Sequence, residues 1–292
     1  IILFLISNFC FSQLKSVIID SETKEKIPYV NIWVVNENIG TTSNEKGEFE
    51  LKIDTPKIIL FSAIGFQTKK VSSDSIRNIL ELKPAINELD EIIINSKKLA
   101  KELTIGEFKK SKINSYFACG IQPWISAKFF EHKEEYEKTP YLKKFRILTN
   151  SDIKNSKFKI RLYRVNEKGE PQNYIYNENI IGIAKKGKRT TEIDVSELNI
   201  EFPEKGFFIA IEWLIIEENK YEYKYIMKGS RKKLKDISYE PAIGIVPAKT
   251  NENSWRFNKG KWSKTSWKNN NESMKKYRNK YNQLAIELTL TN

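Results

Sequence analysis

The sequence has very little imidazole and very little thiol. Its 292 residues include one histidine, His132, and two cysteines, Cys10 and Cys119. A zinc site needs three or four ligands, and a Ser-His-Asp or Cys-His arrangement would have to use His132. The patterns G-x-S-x-G, G-x-G-x-x-G and the P-loop do not occur in the sequence. We therefore predict no catalytic residue, no metal site and no cofactor.

Long apolar runs are also scarce, and the most extended one lies at the N-terminus. The first thirteen residues, IILFLISNFCFSQ, carry no charge and are too few to cross a bilayer as a helix. The run reaches Cys10-Phe11-Ser12, a small-x-small pattern that is typical of signal-peptide cleavage sites. We expect residues 1–12 to be a signal peptide whose basic start precedes the given sequence. A buried N-terminal strand is the alternative.

Export has consequences for the mature chain. It would be periplasmic, outer-membrane-associated or secreted, and it would have no transmembrane segment because no other run approaches about 18 apolar residues. Cys10 would leave with the signal peptide. Cys119 would then be the only thiol, so no internal disulfide can form.

The net charge of +13 is distributed unevenly. Residues 14–95 contain 10 Lys/Arg and 13 Asp/Glu, which leaves 40 of the 50 basic and 24 of the 37 acidic residues for the rest of the chain. Such a surface can attract an acidic glycan or lipid headgroups. Scattered lysines are equally an ordinary result of a lysine-rich composition, so both interpretations stay open. Nucleic acid is not an expected partner of an exported protein.

Residues 14–95 have the pattern of short strands separated by polar turns. The hairpin IGTTSNEKGEFELKI, residues 39–53, has a polar tip that ends at Gly47. After this tip Phe49, Leu51 and Ile53 alternate with charged residues, which predicts a strand with one buried face. Further strand-like runs lie at 14–20, 27–35, 58–64, 79–83 and 89–95. This spacing predicts an all-β sandwich.

These residues resemble the carboxypeptidase-regulatory-like domain of Bacteroidota surface and envelope proteins. The resemblance is carried by Val17 and Asp20, IPYVNI (27–32), IGTTSNEKGEFEL (39–51), ILFSAIGF (59–66) and LDEIII (89–94). It implies a transthyretin-like sandwich of seven strands and a location in the cell envelope. It also implies that the 39–53 hairpin is a structural turn and not a phosphate-binding loop.

The rest of the chain divides into a linker and a second β domain. Residues 96–116 are polar and basic and are predicted as a linker or a connecting strand pair. Residues 117–292 contain eight or nine strand-like runs, of which 207–216 is the most apolar, and they predict a larger β-sandwich of jelly-roll type. The run 158–214 resembles envelope-protein regions that accompany the regulatory-like domain, and this resemblance implies no activity.

Enzyme functions find little support in the residues. His132 and Glu135 match the H-x-x-E pattern of zinc carboxypeptidases, but a second histidine ligand is missing. Glu212 and Glu217 could serve as a glycosidase carboxylate pair, and a carbohydrate-active enzyme is therefore kept as an alternative.

One aromatic and basic cluster is a candidate contact site for a glycan or another partner. It consists of Trp255, Trp262, Trp267, Arg256 and Lys261. Exposed aromatic rings stack on sugars, and Arg or Lys can pair with acidic groups. The alternative is a core role, with Trp255 and Phe257 pointing inward and a turn at 259–260.

Together these patterns predict a non-enzymatic exported protein of the cell envelope. It would act as an adaptor or binding module for a protein, a glycan or a surface. A carbohydrate-binding module built on the 255–267 cluster is the first alternative, and a carbohydrate-active enzyme is the second.

Overall fold

The computed structural model describes residues 12–54, 56–85, 101–227, 229, 232–270 and 275–292. Throughout these residues the regular structure consists of β-strands and short 3-10 helices, with no α-helix. The 3-10 helices are Ser73–Ser75, Lys110–Lys112, Glu134–Lys138, Ser196–Leu198 and Glu217–Asn219. The chain divides into two compact units, 1–86 and 87–292. The predicted all-β class is confirmed.

The first unit is a sandwich of two small sheets. Its described strands are β1 (Ser12–Asp20), β2 (Asn31–Val34), β3 (Gly40–Thr42), β4 (Glu48–Ile53), β5 (Ile58–Ser62), β6 (Lys69–Ser72) and β7 (Ile79–Leu82). One sheet has the order β4-β1-β7, and the other has the order β3-β2-β5-β6. Strands β1 and β7 are parallel, whereas the other pairs are antiparallel. The predicted seven-stranded sandwich is confirmed.

The core of the first unit follows from alternation along its strands. On β4, Phe49, Leu51 and Ile53 are buried and the residues between them are exposed. These side chains meet those of the second sheet, where Ile59 and Phe61 are fully buried. The rings of Phe49 and Phe61 are 5.7 Å apart in an edge-to-face arrangement, which favours this pairing beyond simple burial.

A tight turn connects β3 to β4, which lie in different sheets and pair with β2 and β1 respectively, so the predicted hairpin of residues 39–53 is wrong. The Asn44 side-chain oxygen accepts hydrogen bonds from the amides of Lys46 (2.9 Å) and Glu48 (3.0 Å). The Gly47 amide donates to the Asn44 carbonyl (3.0 Å), and Gly47 has a φ of +71°. A Cβ at Gly47 would lie 2.7 Å from the carbonyl oxygen of Ile18. Glycine is therefore needed both for the backbone conformation and for the close approach of β1.

The second unit contains fifteen described strands. The first eight are β8 (Glu102–Ile105), β9 (Tyr116–Cys119), β10 (Ile125–Phe130), β11 (Tyr141–Ser151), β12 (Ser156–Val165), β13 (Pro171–Tyr174), β14 (Ile180–Ala184) and β15 (Gly187–Asp194). The others are β16 (Phe207–Trp213), β17 (Lys220–Ile226), β18 (Lys233–Ala248), β19 (Ser254–Asn258), β20 (Lys261–Lys264), β21 (Tyr281–Leu284) and β22 (Ile286–Thr291).

These strands form two large sheets. The seven-stranded sheet has the order β13-β12-β16-β10-β19-β20, and β14 also pairs with β12. The eight-stranded sheet has the order β17-β18-β11-β22-β8, with β15 on β11 and with β9 and β21 on β18. The chain passes between the sheets repeatedly, as in the succession β10, β11, β12 and again β15, β16, β18, β19. This alternation matches the predicted sandwich of jelly-roll type.

The core of the second unit comes from strands of both sheets. Strand β16 is buried along its whole length, as its apolar sequence predicts. The core contains residues of β12 and β16 together with residues of β11 and β22: Phe158, Ile160, Leu162, Phe207, Ile209, Ile211, Phe145, Ile147, Ile286 and Leu288.

The turn sequence of the first unit recurs in the second. Residues 166–170 repeat the pentapeptide NEKGE of residues 44–48 and connect β12 to β13. The Asn166 side-chain oxygen again accepts from two amides, those of Lys168 and Glu170, both at 2.9 Å. Gly169 has a φ of +77°, but a Cβ there would meet no atom within 4 Å. The same local sequence thus makes the same turn in two different surroundings.

Some predicted segments lie partly or wholly outside the described residues. This holds for residues 1–11 of the expected signal peptide, for residues 89–95 and for the start of the predicted linker. In the described part of 96–116, β8 pairs with β22, so the strand interpretation fits this segment better than a free linker. Among the described residues, no helix has the length and apolarity needed to cross a membrane.

Candidate functional site

Four members of the predicted cluster lie on the hairpin of β19 and β20, Trp267 lies three residues beyond β20, and their surroundings differ. Trp255 is 5% exposed, and its ring lies 5.7 Å from that of Phe208. Phe257 pairs directly with Trp262 across the hairpin, and their rings are 5.3 Å apart. Lys259 and Gly260 both have positive φ and form the turn. Trp255 is therefore buried, as the alternative interpretation predicts, but it packs on the face of β16 opposite to the core residues Phe207 and Ile209, and Phe257 is only half-buried.

Trp262 and Lys261 do not join a common binding surface. Trp262 is half-buried and packs edge-to-face on Tyr163, with ring centroids 5.3 Å apart. Lys261 is exposed and pairs with Asn258 in the hairpin register. It forms no ion pair with any residue in the described part of the chain.

Arg256 and Trp267 do come together, and they are joined by Trp124. The Arg256 guanidinium lies 4.4 Å from the centroid of the Trp124 ring and 5.3 Å from that of Trp267. Trp267 is 42% exposed, whereas Trp124 is half-buried and stacks on Trp213 at 4.7 Å. Successive contacts therefore run from buried Trp213 through Trp124 and Arg256 to exposed Trp267.

Strand pairing explains how these distant residues meet. Arg256 on β19 is paired with Ser126 on β10, and Trp124 lies two residues before Ser126. Positions two residues apart on a strand share a face, so Trp124 is brought to the side of Arg256. On its other edge β10 pairs with β16, where Ile125 faces Glu212, and this register places Trp124 beside Trp213. The contact between Trp124 and Arg256 could not be predicted from the sequence, because the two residues are far apart along the chain.

Arg256 and Trp124 line a cleft of about 360 Å³, which we call the Arg256 cleft. The other lining residues come from the β9–β10 connection and from the hairpin of β17 and β18: Ala118, Cys119, Gly120, Ile121, Gln122, Tyr223, Asp236, Ile237 and Ser238. The cleft is therefore built by strands of both large sheets of the second unit.

The charge of Arg256 is poorly compensated within the described structure. Burial lowers the pKa of Arg256 from its usual value because it disfavours the charged form. Its Nε is buried and has no hydrogen-bond partner, and no described carboxylate forms an ion pair with the guanidinium. A buried guanidinium gains from an anionic or hydrogen-bond-accepting ligand, since such a ligand replaces the water it has lost.

The opposite wall supplies an acceptor and a second aromatic surface. The Asp236 carboxylate accepts hydrogen bonds from the Ile237 amide (2.8 Å) and the Tyr223 hydroxyl (3.4 Å). Tyr223 is 36% exposed and belongs to a row on β17, with ring centroids 6.2 Å from Tyr221 and 6.1 Å from Tyr225. The alternation of Tyr221, Tyr223 and Tyr225 is visible in the sequence and could have indicated this row.

Cys119 lies in the wall of the cleft as an inert thiol. Burial raises the pKa of Cys119 to about 12, and the thiol donates weakly to the carbonyls of Gly120 (3.4 Å) and Gln122 (3.6 Å). In the chain that begins at Gln13, iodoacetamide at pH 8 should label Cys119 at least about a hundredfold more slowly in the folded state than in guanidinium chloride. Equal rates would show that this wall opens readily.

The candidate enzyme residues have structural surroundings. His132 is half-buried and packs against the rings of Tyr136 (6.0 Å) and Phe202 (5.6 Å). Glu212 is 2% exposed and accepts a hydrogen bond from Arg161, while Glu217 is exposed on a 3-10 helix. The described residues include no group of three His, Cys, Asp or Glu side chains that could hold a metal ion. Neither Glu212 nor Glu217 lines the Arg256 cleft.

Comparison with known proteins identifies the first unit. Residues 14–94 match the family model of the CarboxypepD_reg-like domain. The predicted carboxypeptidase-regulatory-like domain is thereby confirmed over these residues. The match ends well before the second unit, and no curated protein matches the chain significantly.

Two solved structures align with most of the chain at low identity. The cysteine protease and lectin-like domains of Cwp84, a surface layer associated protein of Clostridium difficile, align over 87% of this chain with 12% identity and a TM-score of 0.36. Infectious bursal disease virus Gx strain aligns over 90% with 7% identity and a TM-score of 0.26. The chain spans 45% and 61% of those chains. Both TM-scores are too low for either alignment to indicate a shared fold or function.

Proposed function

We propose that the protein is an exported, non-enzymatic binding module of the cell envelope. In this proposal the Arg256 cleft binds a glycan that carries an acidic group, and the CarboxypepD_reg-like domain serves as the mounting module. The observation that carries the proposal is the half-buried Arg256 guanidinium, which contacts two tryptophan rings at a cleft without an acidic partner among the described residues.

The cleft combines the groups that a sugar requires. Trp267 and Tyr223 offer exposed ring faces for stacking. Arg256 can donate two parallel hydrogen bonds to a carboxylate, and Asp236 can accept from sugar hydroxyls. The carboxylate of an acidic sugar fits this set better than a neutral sugar does, because it also compensates the buried positive charge.

An enzymatic role is not part of the proposal. The thiol at the cleft is protonated at neutral pH, since the pKa of Cys119 is raised to about 12 by burial. Asp236 is the carboxylate among the residues that line the cleft, whereas hydrolysis of a glycosidic bond requires a facing pair. Export is supported by the signal-like residues 1–12 and by the CarboxypepD_reg-like domain.

Binding to an acidic polysaccharide tests the proposal. We expect polygalacturonate or alginate to retard the protein in affinity electrophoresis, and Arg256→Met to weaken this binding about tenfold to a hundredfold because a charged hydrogen bond is lost. Trp267→Ala should weaken it severalfold with a melting temperature within about 2 °C of the original, since Trp267 is 42% exposed.

Lys261→Ala is the matched control, because it removes one exposed positive charge from the same hairpin at a position outside the cleft. The affinity of this variant for the acidic polysaccharide should remain within about twofold of that of the unmodified protein. An equal loss in Lys261→Ala and Arg256→Met would contradict the proposal and indicate unspecific attraction of the basic surface.

A further inference from the structure

The hairpin of β17 and β18 ends in an exposed segment that the proposed function does not use. The two strands pair in seven successive steps, from Lys220 with Tyr239 to Ile226 with Lys233. β17 is an edge strand of the eight-stranded sheet, and its last five residues are all exposed. We call residues 224–227 and 232–235 the hairpin end, which does not include Tyr223 of the Arg256 cleft.

Apolar side chains are concentrated at the hairpin end. Nine large hydrophobic side chains are exposed in the described structure, and three of them lie here: Tyr225 (39%), Ile226 (58%) and Met227 (54%). Tyr225 is paired with Leu234 and Ile226 with Lys233, so Tyr225 and Ile226 lie on opposite faces of the two-stranded ribbon. The ribbon therefore exposes apolar groups on both faces at the same end.

The charge of the hairpin end is entirely positive. Between Glu222 and Asp236 the sequence has no acidic residue and six basic ones: Lys224, Lys228, Arg231, Lys232, Lys233 and Lys235. The four of these that the structure describes, Lys224, Lys232, Lys233 and Lys235, are exposed. The hairpin end is therefore a local concentration of positive charge beside exposed apolar side chains.

We propose that the hairpin end docks on an anionic bilayer surface. Ile226 and Met227 would enter the boundary between headgroups and acyl chains, and Tyr225 would lie at headgroup level, where tyrosine is favoured. The lysines would contact lipid phosphates with their ammonium groups while their methylene stems cover apolar surface. Membrane attachment that is stable but reversible needs two signals, and here apolar insertion is combined with a polybasic segment.

The placement of the apolar groups favours a bilayer over other acidic partners. A flat protein surface covers one face of a ribbon, whereas a bilayer surrounds an inserted end and covers both faces. A polyanionic chain would be held by the lysines alone and would leave Ile226 and Met227 in water. Neither Ile226 nor Met227 lines the Arg256 cleft, so changes at these positions test the hairpin end separately from glycan binding.

Vesicle sedimentation of the full chain tests this inference. We expect binding to phosphatidylcholine vesicles that contain about one third phosphatidylglycerol, and at least about tenfold weaker binding to pure phosphatidylcholine. The double variant Ile226→Ser, Met227→Ser should lose about tenfold or more in affinity for the anionic vesicles, because two inserted side chains are removed. Lys233→Ser with Lys235→Ser should weaken binding similarly, and added salt should abolish this difference.

Ile79→Ser is the matched control, because Ile79 is 57% exposed and lies in the first unit, on β7. Its vesicle binding should stay within about twofold of the original, and the melting temperature of the Ile226 and Met227 double variant should stay within about 2 °C. Absence of binding to the anionic vesicles would overturn the proposal. Binding that the double variant leaves unchanged would also overturn it, because it would show that Ile226 and Met227 do not insert and that charge alone attracts the protein to the vesicles.

Discussion

Replacing Glu212 with alanine is expected to lower the free energy of unfolding by about 3–5 kcal/mol. Glu212 lies on β16 and is 2% exposed. Its carboxylate accepts a hydrogen bond from Arg161 Nε (3.2 Å) and lies 3.6 Å from Lys159 Nζ. Arg161 and Lys159 are themselves 1% and 0% exposed, so the alanine variant would leave two buried cations without this carboxylate.

The pKa values of the two cations support this expectation. The pKa of Lys159 is lowered to about 7 by burial and by the neighbouring Arg161, against the opposing effect of Glu212, which raises it. The pKa of Arg161 lies above its usual value despite burial, because the Glu212 carboxylate favours the charged form. Removing Glu212 therefore removes the interaction that stabilises the charged forms of Lys159 and Arg161 in the interior.

Chemical denaturation of matched variants would measure the effect. Glu217→Ala is the control, because Glu217 is exposed and lies five residues further along the chain; it should change stability by less than about 0.5 kcal/mol. Glu212→Gln should lower the free energy of unfolding nearly as much as Glu212→Ala does, since the amide keeps the shape of the side chain but not its charge. A loss below about 1 kcal/mol in Glu212→Ala would show that this carboxylate is not needed to hold the cations.

Gly47→Ala is expected to destabilise the first unit by about 2–4 kcal/mol. Alanine at a φ of +71° is strained, and its Cβ would also lie 2.7 Å from the Ile18 carbonyl oxygen. That carbonyl accepts a hydrogen bond from Ile27, so β1 cannot shift without disturbing a neighbouring segment. Hydrogen exchange of the β1 and β4 amides in the full chain would report the loss locally.

The repeated pentapeptide supplies the control within the same chain. Gly169→Ala has the same neighbours in sequence and nearly the same φ, +77°, but its Cβ meets no atom within 4 Å. It should cost only the conformational strain of about 1–2 kcal/mol, measured on β12 and β13. If Gly47→Ala and Gly169→Ala lower the free energy of unfolding equally, the close contact of the new Cβ with the Ile18 carbonyl oxygen does not contribute to the loss.

The strands with strong local patterns could be predicted from the sequence. Phe49, Leu51 and Ile53 alternate with charged residues, and this pattern alone fixes which face of β4 is buried. The apolar run 207–213 similarly predicts β16. The turn at Lys259 and Gly260 was derivable as well, whereas the predicted inward orientation holds for neither Trp255, which packs outside the core cluster, nor Phe257, which is half-buried.

The candidate site could be predicted only in part, since long-range pairing creates it. Arg256 and Trp267 are close in sequence, but Trp124 reaches them through the pairing of β10 with β19. Asp236 and Tyr223 come from the other sheet. The sequence left residues 96–116 open between a linker and a strand pair for a related reason: Glu102–Ile105 has weak alternation of its own, and its pairing with β22 decides its conformation.

The position of β22 has a consequence for how the second unit acquires its structure during synthesis. β22 lies between β11 and β8 in the eight-stranded sheet, although its residues, Ile286–Thr291, follow all other strands in the chain. A growing polypeptide therefore cannot close this sheet until residue 291 has been made. Such non-local pairing folds slowly, so the second unit should stay incompletely folded until its last strand has been released.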